Sequence, residues 1–325
     1  MELTEYQLFI LSAGAVIAGI WLLVTGGDYA VNAAVALAER MQLSKIFIGA
    51  TIIAFGTSVP ELFTSINANL QGFPGISLGN VVGSNIANIL LVIGATALYA
   101  TLAVKAEDVL RDLGIMLIAT VVLIGGMLAG LFPAWLGGLM FASLVGFVTY
   151  QYINNEIDTE EVEDIEMGIG EALLYLLLGF IGLALGSELL VKGAVVLGTV
   201  AGVPEAIIGL TAVAIGTSLP ELFTCVAAAI KRETDLIFGN IIGSNTFNIL
   251  SIVALTALIK PLEVVPEIAG IEMWFMAAVS LAFAAWLMMS RPIDRMGGVA
   301  LLALYVAFTI YQFREPIGLV SSGGA

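Results

Sequence analysis

The chain has no histidine, a single cysteine (Cys225), and only 11 lysines and arginines in 325 residues. Without histidine and with one thiol, zinc, copper and haem chemistry lose their usual ligands. Oxygen donors remain, and these suit sodium, calcium or magnesium. One cysteine excludes an intrachain disulfide and leaves the redox compartment unreadable. A small buried hydrophobe is the plainer reading of Cys225 than a reactive thiol. Charge is scarce as well: 11% of residues are charged, against about a quarter in soluble domains, and the formal net charge is −15.

Apolar residues fill the gap. They make up 60% of the chain, the mean hydropathy is +1.05, and apolar runs of about 18 residues or more recur from end to end. Such runs favour a helical membrane bundle over a barrel of alternating strands. The expected spans are 8–38, 45–70, 76–103, 110–131 and 134–152, then 170–200, 205–230, 237–259, 269–289 and 296–313. Breaks fall at Gly72-Phe-Pro74-Gly75, Phe132-Pro133, Val203-Pro204 and Arg291-Pro292. The first apolar stretch follows Glu2 and Glu5 with no basic region before it, so it is expected to persist as a span rather than be cleaved.

The negative charge is concentrated between Glu156 and Glu171, where Asp158, Glu160, Glu161, Glu163, Asp164 and Glu166 crowd together. A run of this kind repels itself and stays extended, and it lacks the spaced ligands and glycine of an EF-hand loop. It reads as a linker, 154–168, between halves 1–153 and 169–325.

Those halves are related by duplication. Gly56-Thr-Ser-Val-Pro-Glu-Leu-Phe-Thr64 returns as Gly216-Thr-Ser-Leu-Pro-Glu-Leu-Phe-Thr224, and 49–98 aligns with 209–258 without a gap at a constant offset of 160, with about 23 of 50 positions identical. Five spans per half is an odd number, so the second half must face the opposite way in the bilayer. The fold expected is therefore an all-α membrane protein of ten transmembrane helices in two inverted five-helix repeats, with broken helices at the midplane. With the N-terminus outside, Arg40, Lys45, Lys105, Arg111, Lys231, Arg232, Arg291 and Arg295 fall at or beside cytoplasmic loops. Lys260 and Arg314 fall outside, and Lys192 lies within a span; this bias satisfies the positive-inside rule.

Each nonapeptide places a carboxylate, Glu61 or Glu221, inside an apolar span with no Lys or Arg near it in sequence. A charge at the bilayer centre costs roughly 2.5–3.5 kcal/mol even on insertion scales, so a structural carboxylate needs a partner or a proton, and a bound cation is the favoured reading. Pro60 and Pro220 lack an N–H and clash with the carbonyl four residues back, at Gly56 and Gly216. The helices should kink or unwind there, freeing carbonyls near 54–57 and 214–217 beside the hydroxyls of Thr57, Ser58, Thr217 and Ser218. A second repeated motif, Gly79-Asn80-Val-Val-Gly83-Ser84-Asn85-Ile-Ala-Asn88 and Gly239-Asn240-Ile-Ile-Gly243-Ser244-Asn245-Thr-Phe-Asn248, puts Ser84 with Asn88 and Ser244 with Asn248 on one helix face. For Asn80, Asn85, Asn240 and Asn245, helix–helix adhesion and ion contact both stay open; adhesion is the reading for Thr64 and Thr224. Asp28 and Glu188 form a further acidic pair, although Glu188 and Lys192 are spaced to neutralise each other.

These paired motifs resemble the alpha repeats of the calcium/cation antiporter superfamily, in its sodium/calcium exchanger branch. They differ from the proton/calcium branch, whose repeats carry Gly-Asn-Ala where this chain has Gly-Thr-Ser. The resemblance implies that Glu61 and Glu221 bind calcium with main-chain oxygens of Thr57 and Thr217. It places sodium around Ala54, Ser58, Ser84, Ala214, Ser218 and Ser244, with Asn88 and Asn248 completing the centre. It also implies that spans 1 and 6 slide over the other eight, and Gly26, Gly186, Gly193 and Ala194 suit a sliding face. Many relatives carry Asp at one of the last two positions, whereas this chain has Asn at both. The expectation is an antiporter exchanging Ca2+ for Na+ by alternating access in the plasma membrane, with the ions as cargo, no resident cofactor, no nucleic acid and no obligatory protein partner. Competing readings are a proton- or potassium-coupled divalent cation exchanger of the same fold and, from another class, a cation channel. An enzyme is not expected, since no nucleophile lies beside a base.

Overall fold

The computed structural model describes residues 5–154, 167–200, 216–266 and 268–313. They form an all-helical bundle. We label the helices α1 (Glu5–Met41), α2 (Lys45–Thr57), α3 (Val59–Leu70), α4 (Pro74–Thr96), α5 (Ala106–Ala129), α6 (Ala134–Ile153), α7 (Ile169–Val200), α8 (Leu219–Ile230), α9 (Thr234–Ile259), α10 (Ile271–Met288) and α11 (Arg295–Phe313). Among the described residues eight helices are long and apolar enough to cross a membrane, or nine when α2 and α3 count as one bent span. Residues 205–215 of the expected span 205–230 and most of the acidic linker fall outside the described residues, while the rest of that span is described and forms α8 from Leu219. Helix α4 ends at Thr96 rather than running to 103, because its tail leaves the helix and pairs at Leu102 with Ile293.

The second span bends by 46° between α2 and α3. Proline explains where it restarts: Pro60 occupies the first turn of α3, where an N–H would have no helical acceptor, and Pro220 does the same in α8. The break residues adopt matching conformations, with φ −88°, ψ 3° at Ser58 and φ −85°, ψ 3° at Ser218. Nearly identical sequences thus give the same local backbone in both halves. One expectation needs correction. Ala54 keeps a helical partner, since its carbonyl accepts the Ser58 N–H at 3.2 Å. The interruption is narrower than the sequence suggested, and the acceptor directly opposed to Pro60 is Gly56.

Three π-helical turns widen the spans near these breaks: Gly49–Ile53 in α2, Asn88–Val92 in α4 and Asn248–Val253 in α9. Single π turns inside α-helices concentrate at functional sites, and two of them begin at Asn88 and Asn248.

Elements from the two halves interlock. On α9, a Cβ on Gly239 would stand 2.4 Å from the Ile46 carbonyl, and one on Gly243 would stand 2.4 Å from the Ala50 carbonyl. Only glycine therefore lets α9 approach α2 this closely. Helix α6 lies against the tail of α9, where Gly137 meets the Ala254 carbonyl, and α11 lies against the tail of α4, where Gly298 meets the Gly94 carbonyl. The tails repeat the exchange: Leu102 bridges Ile293, while strand β1 (Leu131–Phe132) pairs antiparallel with strand β2 (Leu262–Glu263).

Helices α1 and α7 pack along their lengths through glycine. A Cβ on Gly26 would stand 2.8 Å from the Gly179 carbonyl, one on Gly186 would stand 2.8 Å from the Gly19 carbonyl, and one on Gly193 would stand 2.8 Å from the Ser12 carbonyl. Gly26, Gly186 and Gly193 were expected on such a face. Gly19 and Gly179 join them.

Candidate ion-binding site

Glu61 and Glu221 are each 1% exposed and occupy the first turn of α3 and α8. A helix start offers unpaired N–H groups and the positive end of the macrodipole, which favours a carboxylate by about 0.3–1 kcal/mol. That is far too little to hold two bare charges in an apolar interior. Among the described residues neither glutamate has a Lys or Arg partner; ion pairs such as Lys45–Glu233, Lys192–Glu188 and Lys231–Asp28 lie elsewhere.

The surrounding polar groups cross between halves. Ser58 Oγ donates to Glu221 Oε1 at 3.1 Å, so the break in one half reaches the carboxylate of the other. Thr57 Oγ1 lies 3.5 Å from Asn240 Oδ1, and Thr217 Oγ1 lies 3.4 Å from Asn80 Oδ1. Asn80 Nδ2 also donates to the Glu61 carbonyl at 3.2 Å and to Ser65 Oγ at 3.0 Å. Asn240 makes the matching contact to Cys225 Sγ at 3.3 Å. Cys225, equivalent by the repeat to Ser65, is a buried hydrogen-bond acceptor. Asn85 donates to the Val81 carbonyl at 2.8 Å, and Asn245 donates to the Asn85 carbonyl at 3.4 Å. All four asparagines have protein partners; Asn80, Asn240 and Asn245 bond across to another helix, while Asn85 bonds within its own.

Asn88 and Asn248 differ from them. Asn88 Nδ2 donates to Asn245 Oδ1 at 3.0 Å, which fixes the amide, yet its own Oδ1 is buried with no hydrogen-bond partner in the protein. Asn248 Oδ1, Glu61 Oε2, Glu221 Oε2 and Ser218 Oγ are buried without a partner as well. Buried polar atoms in folded proteins are nearly always satisfied, so each orphan requires an explanation. Ionised carboxylate and amide oxygens only accept, and a cation is a partner able to satisfy such acceptors.

The remaining candidates take various places. Ala54 and Thr57 are buried, and the Thr57 hydroxyl donates back to the Ile53 carbonyl at 3.1 Å. Ser84 and Ser244 are buried one turn before Asn88 and Asn248, and their carbonyls accept the N–H groups of those asparagines. Ser244 Oγ also donates to Asn240 Oδ1 at 3.3 Å. Thr224 bonds to the Pro220 carbonyl of its own helix at 2.7 Å, and the Glu188–Lys192 pair forms as spaced. Ala214 lies outside the described residues.

Three features escaped the sequence reading. Asp28 pairs with Lys231 at 2.9 Å, joining α1 to the end of α8. Ser187 on α7 donates to the Gly216 carbonyl beside the second break. Asn69 and Lys260 clamp each other reciprocally: Asn69 Nδ2 donates to the Lys260 carbonyl at 2.8 Å, and Lys260 Nζ to the Asn69 carbonyl at 2.9 Å.

A polytopic helical bundle with two buried, unpaired carboxylates on separate broken helices belongs to the class of membrane ion transporters. The profile described as "Sodium/calcium exchanger protein" matches residues 11–153 and 171–314, and the chain belongs to that family. It is 32% identical over 337 residues to sodium/calcium exchanger MaX1 of Methanosarcina acetivorans, covering 91% of this chain and 96% of the relative. To inner membrane protein YrbG of Escherichia coli it is 33% identical over 321 residues, covering 95% and 99%. Its fold is similar to the solved structure of the sodium-calcium exchanger NCX_Mj, with a TM-score of 0.79, 32% identity, and coverage of 92% and 98%. The chain is thus a multi-pass membrane antiporter of the cation/Ca2+ exchanger type, and the family carries Na+ and Ca2+.

Proposed function

We propose that the protein exchanges Ca2+ for Na+ by alternating access, through one site divided between two inverted five-helix repeats, 1–153 and 169–325, joined by the linker 154–168. The observation that carries this reading is that Glu61, Asn88, Ser218, Glu221 and Asn248, drawn from both halves, each keep a buried oxygen with no protein partner. Calcium takes 6–8 oxygens at about 2.3–2.6 Å in flexible geometry, a donor set these side chains supply with main-chain oxygens of Thr57 and Thr217. Sodium occupies the flanking positions around Ala54, Ser58, Ser84, Ala214, Ser218 and Ser244. One Ca2+ neutralises the two glutamates and several Na+ compete for the same oxygens. The loaded carrier reorients, while an empty doubly negative site is held back by the cost of burying bare charge.

Ten alternating spans are supported by the contacts between helix ends. Arg40 reaches the Met167 carbonyl, Lys45 pairs with Glu233, and Arg295 donates to the Leu98 carbonyl, each joining ends assigned to the cytoplasm. The Asn69–Lys260 clamp and the β1–β2 pair join ends assigned to the outside, as is the N-terminus. Cell-membrane location fits the likeness to an inner membrane protein. The glycine-mediated approach of α1 to α7 provides the surface on which those two helices move against the core.

Purified protein in sodium-loaded vesicles should take up calcium only while an outward sodium gradient is present. Calcium uptake driven equally well by a proton or potassium gradient with no sodium would replace this reading with its closest rival, and downhill flux needing no counter-ion would indicate a channel.

A further inference from the structure

An apolar cavity of about 380 Å³ lies between α10, α11 and the π turn of α4. Ile89 and Leu90 of the π turn line it, with Phe283 and Trp286 of α10, Ile293 of the connecting loop and Leu301 of α11. A water molecule occupies about 30 Å³ and needs two to four polar partners, which this lining does not offer. The walls are membrane-spanning helices, so the occupant comes from the bilayer. Charge complementarity narrows it further. Ile293 is flanked in the same exposed segment by Arg291 and Arg295. Arg291 makes no ion pair or hydrogen bond through its guanidinium among the described residues. Arg295 gives one N–H to the Leu98 carbonyl at 3.1 Å and keeps the rest of its fork. The nearby carboxylate of Asp294 is engaged by the Gly297 N–H at 2.8 Å, at the start of α11. Trp286 donates its indole N–H to the Arg291 carbonyl at 3.0 Å, the behaviour of a tryptophan at the headgroup level.

We propose that this groove binds one anionic phospholipid, with an acyl chain between α10 and α11 and its phosphate held by Arg291 and Arg295. Guanidinium forks match phosphate oxygens in a bidentate manner, and juxtamembrane arginines attract anionic headgroups. The chain would rest on Ile89 and Leu90, which directly follow Asn88, so the lipid braces the π turn carrying that asparagine. Binding itself does not depend on which ions the protein exchanges.

The test is native mass spectrometry on protein released from nanodiscs of phosphatidylglycerol or phosphatidylcholine, at equal lipid loading. Wild type should retain one phosphatidylglycerol per chain and no comparable phosphatidylcholine. Arg291→Gln combined with Arg295→Gln, both at exposed positions, should lower that retention at least tenfold. Ala282→Trp, which fills the groove, should do the same. Glycerol phosphate, the headgroup chemistry without chains, should neither bind nor displace the lipid. Equal retention of the two lipids, or unchanged retention in the double arginine variant, would overturn the proposal.

Discussion

The two halves of the chain are alike at the centre and unlike at the edges. Both breaks place serine in the same backbone conformation, both restart at proline and both carry glutamate in the next turn. Both leave one carboxylate oxygen and one asparagine oxygen without a protein partner. Further out the correspondence fails. Asp28 of α1 pairs with Lys231, whereas its equivalent Glu188 on α7 turns to Lys192 of its own helix. Ser187 bonds the Gly216 carbonyl, and its equivalent in the first half, Gly27, has no side chain to do so. Only the C-terminal end of α3 carries the Asn69–Lys260 clamp, since the equivalents of these residues are Ala229 and Ala100. The repeat symmetry is kept in the backbone around the buried glutamates and is lost in these three outlying contacts.

The largest effect should come from the centre. Glu61→Gln and Glu221→Gln each remove one of the two carboxylates proposed to hold the cation, and a charge-assisted contact contributes about 1.5–3 kcal/mol. Sodium-driven calcium uptake should fall by two orders of magnitude or more in each variant, and to the same degree. A large inequality between them would break the equivalence of the halves.

Packing comes next. Gly137→Ala and Gly298→Ala both force a methyl against a backbone carbonyl, at 2.4 Å and 2.7 Å. Overpacking of this kind costs about 1–3 kcal/mol. Thermal unfolding of the purified protein in detergent should show both variants destabilised by similar amounts.

Asparagine is the finer probe. Asn248→Asp should strengthen calcium binding roughly tenfold above neutral pH, the value of a charge-assisted contact. Asn88→Asp should gain less, because it sacrifices the bond to Asn245 Oδ1 and sets two acceptors against each other. Calcium titration by isothermal calorimetry at low sodium checks both. Equal gains would show that the Asn88 bond carries little.

The smallest effect belongs to the edges. Asp28→Asn breaks a half-exposed ion pair, and such pairs contribute under about 1 kcal/mol. Unfolding should barely move. The half-saturating sodium concentration measured separately on each face of oriented vesicles should shift in opposite directions, while Glu188→Gln should leave both values unchanged.

How much of this was legible depends on the range of the interaction. The breaks at Gly56-Thr-Ser and Gly216-Thr-Ser are local: proline removes a donor and glycine yields, so sequence alone locates them. The burial of Glu61 and Glu221 followed from their surroundings in apolar spans. The π turns did not follow, because no residue pattern in Asn88–Val92 separates a wide turn from an ordinary one until neighbouring helices impose it. The retained carbonyl bond of Ala54 needed backbone geometry. The partners of Asp28 and Asn69 lie 203 and 191 residues away in the chain, and only the assembled bundle brings them together. For Asn80 and Asn240 adhesion and ion contact stood equal in the sequence, and their hydrogen bonds to Ser65 and Cys225 favour adhesion.

The central claim is that one cation site is assembled from oxygens of both halves. Calcium uptake into sodium-loaded proteoliposomes tests it most directly, with wild type, Glu61→Gln and Glu221→Gln reconstituted at equal density. Uptake should follow the outward sodium gradient in wild type and vanish in both variants. Wild-type uptake persisting in either variant would contradict a shared site, since one half would then suffice to carry the ion.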